Sequence, residues 1–184
     1  MTMTIGPELP DLELGGRGIR LRPFAMEDLE LIKEVSDDPI IPLITTVPST
    51  FTAAEGTAFI ERQRGRRRSG EGWSLAIHDE SAGRGVGQIG LWMRSAHKGR
   101  AEIGYWIAAS ARGSGFAATA TDLLSEWALS ALDLDRLSLF IEPWNKASIR
   151  TAEAAGYERE GLLKHWERVD GVPKDMISFA RLRA

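Results

Sequence analysis

The stretch Ala109–Leu132 constrains this chain more than any other. Ahead of it, Glu102–Ala108 reads as a buried strand, and Ala109–Ser114 as a short loop. From about Gly115, the residues Phe116, Ala120, Leu123, Leu124, Trp127, Ala128 and Ala131 recur at helical spacing. The strand Arg136–Glu142 follows, so Ala101–Glu142 is one βαβ unit. Such a unit carries its loop at the carboxyl end of the first strand, where ligands of α/β sheets usually sit.

Arg112-Gly113-Ser114-Gly115-Phe116-Ala117 fills that junction. Glycine lets the backbone approach a ligand with no Cβ in the way. The first turn of the helix offers free N–H groups and the positive end of its dipole, which together suit a phosphate. Arg112 adds a permanent charge. The loop is not a Walker loop, because no Gly-Lys-Ser/Thr follows, and the three-glycine dinucleotide pattern is missing. A plain turn is the competing reading of the motif alone.

Composition narrows the rest. At 184 residues, one domain is expected. A net charge of −3 does not favour a general nucleic-acid binder. The absence of cysteine removes disulfides, thiolate metal sites and a cysteine nucleophile together. His78, His97 and His165 have no metal-ligand spacing, so no metal is expected. Neither a signal-peptide pattern nor a membrane-length apolar run is present, so a cytoplasmic protein is the default expectation.

Residues 1–18, with Pro7, Pro10, Gly15, Gly16 and Gly18, read as a loose arm. Ile19–Arg22 alternates like a strand, and Ala25–Ser36 reads as a helix. Asp37–Thr52 is a loop unusually apolar for a loop, suited to packing over a substrate. Ala53–Arg68 is a helix opened by a Thr52/Glu55 capping box. Its end carries Arg62, Arg64, Arg66, Arg67 and Arg68, read either as a solvated last turn or as a patch for an acidic partner. Trp73–His78 and Val86–Met93 read as a hairpin, Ala101–Ala108 as the third strand of that run, and Lys146–Ala155 as a short helix closed by Gly156. Tyr157–Glu167 and Val172–Leu182 are the final strands. Strands interspersed with helices give an α/β (α+β) sheet with mixed pairing.

At this point the chain resembles the GCN5-related N-acetyltransferases, and within them the ribosomal-protein (Rim-type) branch. The resemblance runs from about Ile19 to Leu182 and rests on four stretches in order. These are Leu21-Arg22-Pro23-Phe24 with Glu27-Asp28-Leu29, then Glu102–Ile107, then Arg112–Ala117. The fourth is Asn145-Lys146-Ala147-Ser148 with Ala155-Gly156-Tyr157 and Glu160-Gly161. Tyr157 replaces the family's usual Phe. The resemblance implies a mostly antiparallel seven-stranded sheet with about four helices, in one acetyltransferase domain over residues 19–184. It implies acetyl-CoA as donor and a primary amine as acceptor, a protein N-terminus or a small molecule, and leaves a homodimer open by analogy. It puts the CoA pyrophosphate on Arg112, Gly113, Ser114, Gly115, Phe116 and Ala117. It puts the pantetheine arm beside Trp106, Ile107 and Ala108, where two strands splay apart, with Asn145 and Ser148 near the sulfur.

Acetyl transfer needs a neutral amine, and free amines have pKa values of about 8 to 10.4. A general base, or a site that desolvates the amine, is therefore required. By resemblance, Ser148 is the hydrogen-bonding partner of the leaving thiolate; its alternative is simply the third residue of the helix that Asn145 caps. Glu167 and Glu102 compete for the base, and the branch pattern favours Glu167. The alternative for Glu167 is a surface carboxylate, and for Glu102 an ion pair across the sheet. Alternation places Tyr105 with Ile103 and Ile107, as core. Two other functions stay open: a non-catalytic acyl-CoA sensing module, and an RNA- or ribosome-associated protein using Arg62–Arg68.

Overall fold

The computed structural model describes residues 8–184. The chain runs β1 (Leu14–Gly16), β2 (Ile19–Pro23), α1 (Leu29–Ser36), α2 (Ile41–Ile44), α3 (Ala53–Arg68), β3 (Gly72–Asp79), β4 (Arg84–Trp92) and β5 (Arg100–Ile107). It continues with α4 (Phe116–Ala131), β6 (Arg136–Ile141), α5 (Lys146–Ala154), β7 (Glu158–Val169) and β8 (Val172–Leu182). One sheet orders these strands β1-β2-β3-β4-β5-β6-β8-β7. Every neighbouring pair is antiparallel except β5 and β6. That exception follows from the crossover through α4, since only parallel neighbours need a helix-length return.

The sheet has eight strands rather than seven, and five α-helices rather than four. The extra strand, β1, lies in the segment expected to be a loose arm; residues 1–7 of that arm fall outside the described residues. Leu14 pairs with Leu21. Leu12 is buried, and the Pro10 carbonyl accepts the Trp73 indole N–H at 2.9 Å. Two glycines and no periodicity hid this strand, which is made by backbone pairing. The apolar loop after α1 contains the short helix α2.

Two apolar layers hold the sheet. Leu21, Ile77, Ile89, Leu91, Ile103, Leu137, Leu139 and Phe179 pack with Leu124 and Ala128 of α4. On the other layer, Phe24, Ile32, Val35, Phe59 and Ile60 pack on Ala76 and Trp106. Phe24 and Phe59 meet edge to face at 5.4 Å. Emptying such a buried position costs about 3–5 kcal/mol, so Phe59→Ala is expected to loosen α3 from the sheet. The Arg22 of the opening motif holds the fully buried Asp28 carboxylate through two nitrogens, at 2.8 and 3.0 Å, which fixes the start of α1. Tyr157, where the family has Phe, uses its hydroxyl: it lies 2.7 Å from Ser125 Oγ inside the core.

Arg62 and Arg68 of α3 are exposed and Arg64, Arg66 and Arg67 are half-buried, and each of the five is engaged rather than gathered into a free patch. Arg62 donates to the Thr46 carbonyl, and Arg64 to the Phe24 carbonyl. Arg66 pairs with Glu71 and lies over Trp92 at 4.8 Å. Arg67 holds Glu8, Asp11 and the Leu9 carbonyl, and Arg68 pairs with Glu61. They tie α3 to three distant segments. Among the described residues, no helix is long and apolar enough to cross a membrane.

Candidate functional site

The parallel step between β5 and β6 is short. Pairing covers Arg100↔Arg136, Ala101↔Leu137 and Glu102↔Ser138, and then stops. Beyond Glu102 the two strands diverge, and a cavity of about 590 Å³ opens there. Glu102, Ile103, Tyr105 and Trp106 line it from β5, and Leu139, Phe140, Ile141 and Glu142 from the β6 side. Its wall also includes Ile40, Leu43, Thr45, Thr46, Asn145, Ser148 and Glu167.

Register decides which backbone groups face the opening. The Ala108 N–H donates to the Val86 carbonyl at 2.9 Å. Strand groups alternate sides, so Trp106 and Ala108 spend theirs on β4. Tyr105 and Ile107 point theirs into the opening. The expected trio Trp106, Ile107 and Ala108 is thus split: of the three, Ile107 presents its backbone there. The Ile107 carbonyl already accepts from Arg112 Nε at 3.1 Å. The Trp106 ring is buried in the layer below α3.

The glycine loop lies past the carboxyl end of β5 and outside the cavity lining. Gly113 and Gly115 have φ of +81° and +79°, and a Cβ on either would meet nothing within 4 Å. Glycine is needed there for its conformation, not for room. The first backbone bond of α4 runs from the Thr119 N–H to the Gly115 carbonyl, so the N–H groups of Phe116, Ala117 and Ala118 have no helical acceptor. No side chain caps this helix, and no acidic residue sits in its first turn. By contrast, Thr52 caps α3 and Asn145 caps α5 with a side-chain oxygen. Ser114 and Arg112 are exposed, while the Phe116 ring packs on the main core. Arg112 pairs with Asp38 at 2.5 Å. Burial works against ionisation of Asp38, but the Ile41 and Ile40 amides and Arg112 outweigh it and hold its carboxyl below the ordinary value.

Asn145 accepts the Ser148 N–H at 3.0 Å, so Ser148 is the third residue of a capped helix. Its hydroxyl is not idle. Tyr105 Oη lies 2.8 Å from Ser148 Oγ and 3.1 Å from the Ser148 carbonyl. Alternation put Tyr105 on the right face of β5 but missed that a phenol reaches past the core. Burial raises its pKa, against the lowering effect of its hydrogen bonds to Ser148 and Thr151, so it stays a neutral donor.

Glu102 and Glu167 line the same cavity from opposite sides. Glu102 is half-buried, at the last paired position of β5, and has no ion-pair partner among the described residues. Glu167 is exposed. It follows a bulge, since Leu163 pairs with Met176 and Glu167 with Lys174. His165, with φ +49°, sits in that bulge and donates its N–H to Asp175. In this irregular stretch Trp166 lies against Phe140, with ring centroids 5.0 Å apart. No sequence signal marked Gln88, which also lines the cavity.

Comparison with known proteins gives this geometry a setting. The family model described as an acetyltransferase (GNAT) domain matches residues 19–158. The chain is 26% identical over 165 residues to a Bacillus licheniformis protein named "Uncharacterized N-acetyltransferase p20", covering 90% of this chain and 93% of that one. Among solved structures, Mycobacterium smegmatis RimJ in complex with CoA-disulfide superposes with a TM-score of 0.79 at 26% identity, over 96% of this chain and 89% of that one. The microcin C7 self-immunity acetyltransferase MccE, in complex with acetyl-CoA and AMP, has the same fold, with a TM-score of 0.76 at 22% identity, over 91% and 93%.

Proposed function

The chain belongs to the GNAT acetyltransferase family and is an N-acetyltransferase, and from that premise we propose that it acetylates a primary amine by direct attack in a ternary complex with acetyl-CoA. The observation that carries this reading is the open edge of β5, with an uncapped helix start at one end and the Tyr105–Ser148 pair beside it.

The diphosphate of CoA lies against the N–H groups of Ser114, Gly115, Phe116 and Ala117, with Gly113 and Arg112 shaping the turn. The pantetheine arm runs back along β5 and pairs with the backbone of Tyr105 and Ile107. About four strand residues at ~3.3 Å each separate Ile107 from the closed end at Glu102, so the thioester comes to rest near that end. Asn145 fixes the start of α5 and thereby the height of Ser148. The amine nitrogen attacks the thioester carbon, the carbon–sulfur bond breaks, and the sulfur leaves as thiolate. When the Tyr105 phenol donates to Ser148 Oγ, the Ser148 proton is free to go to that thiolate, Tyr105 resupplies it, and solvent returns a proton to Tyr105. The amine proton passes to a carboxylate. Glu102, beside the closed end, is the nearer of the two candidates, and Glu167 faces it across the cavity.

The acceptor is a protein N-terminal α-amine or a small amine that fits between Asp37–Thr52 and the last hairpin. Residues 19–184, with β1 added to their sheet, act as one domain, and acetyl-CoA as donor suits a cytoplasmic reaction. A sensing module with the same loop would bind acetyl-CoA yet consume no amine. The test is calorimetric titration with acetyl-CoA, then release of free CoA thiol against a panel of primary amines. Binding with amine-dependent thiol release is expected. Binding without release from any amine would leave the sensing reading, and no binding by folded protein would remove both.

A further inference from the structure

Three polar side chains under the cavity are used by nothing described so far. Gln63 on α3, Ser74 on β3 and Gln88 on β4 are 1%, 5% and 8% exposed. They form one chain of hydrogen bonds. The Trp106 indole N–H donates to Gln88 Oε1 at 2.9 Å, and Gln88 Nε2 donates to Ser74 Oγ at 3.0 Å. Ser74 Oγ donates to Gln63 Oε1 at 3.0 Å, and Gln63 Nε2 donates to Thr46 Oγ1 at 3.0 Å.

The direction of the chain is fixed by its first link. An indole N–H can only donate, so Gln88 presents its carbonyl there and must pass on a donor. Ser74 accepts that donor and hands its own proton to Gln63. The carbonyl of Gln63 takes a second bond from Arg66 Nε at 3.1 Å, which leaves its amide for Thr46. One end of the chain is on β5, the strand with the open edge. The other end is Thr46, in the segment that walls the acceptor side. The Thr46 carbonyl is held as well, by Arg62 at 2.9 Å.

An apolar contact would hold α3 to the sheet as firmly but would tolerate sliding. A buried polar chain does not, because any shift leaves a donor or acceptor unpaired in a low-dielectric interior. We propose that Gln63, Ser74 and Gln88 are positioning residues that hold the Thr45–Val47 wall at a fixed height over β5 and so select which amines reach the opening. The selection rests on the acetyl-transfer reading above; the tether does not.

Two measurements test this on the full chain. Hydrogen exchange is followed at residues 42–48 in wild type, Gln88→Leu and Thr46→Val. Thr46 is exposed, so Thr46→Val removes the last link without touching the core. Exchange at 42–48 is expected to rise about tenfold in Gln88→Leu and about threefold in Thr46→Val, with the amides of α4 unchanged. On the best amine of the panel, Gln88→Leu is expected to raise the acceptor KM about tenfold while kcat and acetyl-CoA affinity stay within about twofold. Ser74→Thr, which keeps the hydroxyl, is expected to behave as wild type, and Ser74→Ala as Gln88→Leu. Unchanged exchange at 42–48 in both variants would overturn the tether. A fall in kcat or in acetyl-CoA affinity equal to the rise in KM would overturn the positioning role. If acetyl-CoA binds but wild type consumes no amine, the acetyl-transfer reading and the selection fail together, and the exchange data still decide the tether.

Discussion

In the proposed reading, the donor end and the acceptor side of the site are built from different materials. At the donor end the groups offered to a ligand are backbone: N–H groups at the start of α4, and the edge of β5 beyond Glu102. On the acceptor side they are side chains from separate segments, among them Glu102 on β5 and Glu167 on β7. Backbone donors need only a turn of the right shape, so the donor end tolerates change in most of its side chains. The acceptor side is set by each residue it uses. The difference predicts that donor binding and acceptor chemistry separate cleanly under mutation.

Ser148 lies where the two regions meet, and its removal is expected to have the largest effect. Ser148→Ala leaves the backbone of α5 and its Asn145 cap in place. It should lower kcat about 100-fold, the lower end for a lost proton donor, with acetyl-CoA affinity unchanged by calorimetry. Tyr105→Phe removes the resupply but not the donor, and a smaller loss of about tenfold is expected. Equal losses in acetyl-CoA affinity and kcat for Ser148→Ala would break the separation.

The second test is on the donor end alone. Gly115 has φ +79° and open space around its Cα. Aspartate tolerates that conformation better than most residues. It also replaces glycine at a helix start at a change of only a few tenths of a kcal/mol. The left-handed backbone still strains any side chain, by about 1–2 kcal/mol, so Gly115→Asp should stay folded with a melting temperature lowered by a few degrees. Its charge would face the diphosphate and cancel the positive end of the helix dipole that attracts it, an effect of about 2 kcal/mol in a partly buried site. That corresponds to about a 30-fold loss of acetyl-CoA affinity. A folded Gly115→Asp that binds normally would move the diphosphate elsewhere.

The same contrast explains what the sequence disclosed. Helix α3 is bounded by Ala53 and Arg68 as expected, because Thr52 and the Glu55 N–H form a local cap. The turn at Gly113–Gly115 was legible for the same reason: a positive φ leaves its mark on the residue itself. Arg112 shows the limit. Its charge was visible, but the carboxylate it pairs with, Asp38, is 74 residues away. The arginines of α3 misled in the same manner, since their partners at Leu9, Phe24 and Thr46 are set by tertiary packing. Gln88 gave no signal at all, because a glutamine in a strand declares nothing until its neighbours are known.

The acceptor carboxylates come next in size. Glu102→Gln is expected to lower kcat/KM about tenfold. Glu167→Gln, at an exposed position, should change the rate by less than about threefold. The reverse order would place the base on the last hairpin and shift the reacting amine towards it. Acetyl-CoA affinity should be unmoved in both variants.

Arg112 also joins the two regions, and its removal should have only a small effect. Its guanidinium is already engaged by Asp38 and by the Ile107 carbonyl, and it is 52% exposed. Solvent therefore screens what it adds at the diphosphate, and Arg112→Ala should weaken acetyl-CoA about threefold. The partner matters more to the acceptor side, because Asp38 also accepts the Ile40 and Ile41 amides that start α2. The carboxyl of Asp38 is held below its ordinary value. Its contribution is then fully present above about pH 4, the ordinary value, and is lost as pH falls below that through the lower folded value. Hydrogen exchange at residues 40–44 should accordingly rise below about pH 4 in wild type, after correction for the intrinsic rate. Asp38→Asn should show the faster exchange already at neutral pH, with no further rise in acid. If Arg112→Ala instead costs as much acetyl-CoA affinity as Gly115→Asp, Arg112 leaves Asp38 for the diphosphate, and donor binding itself would release α2.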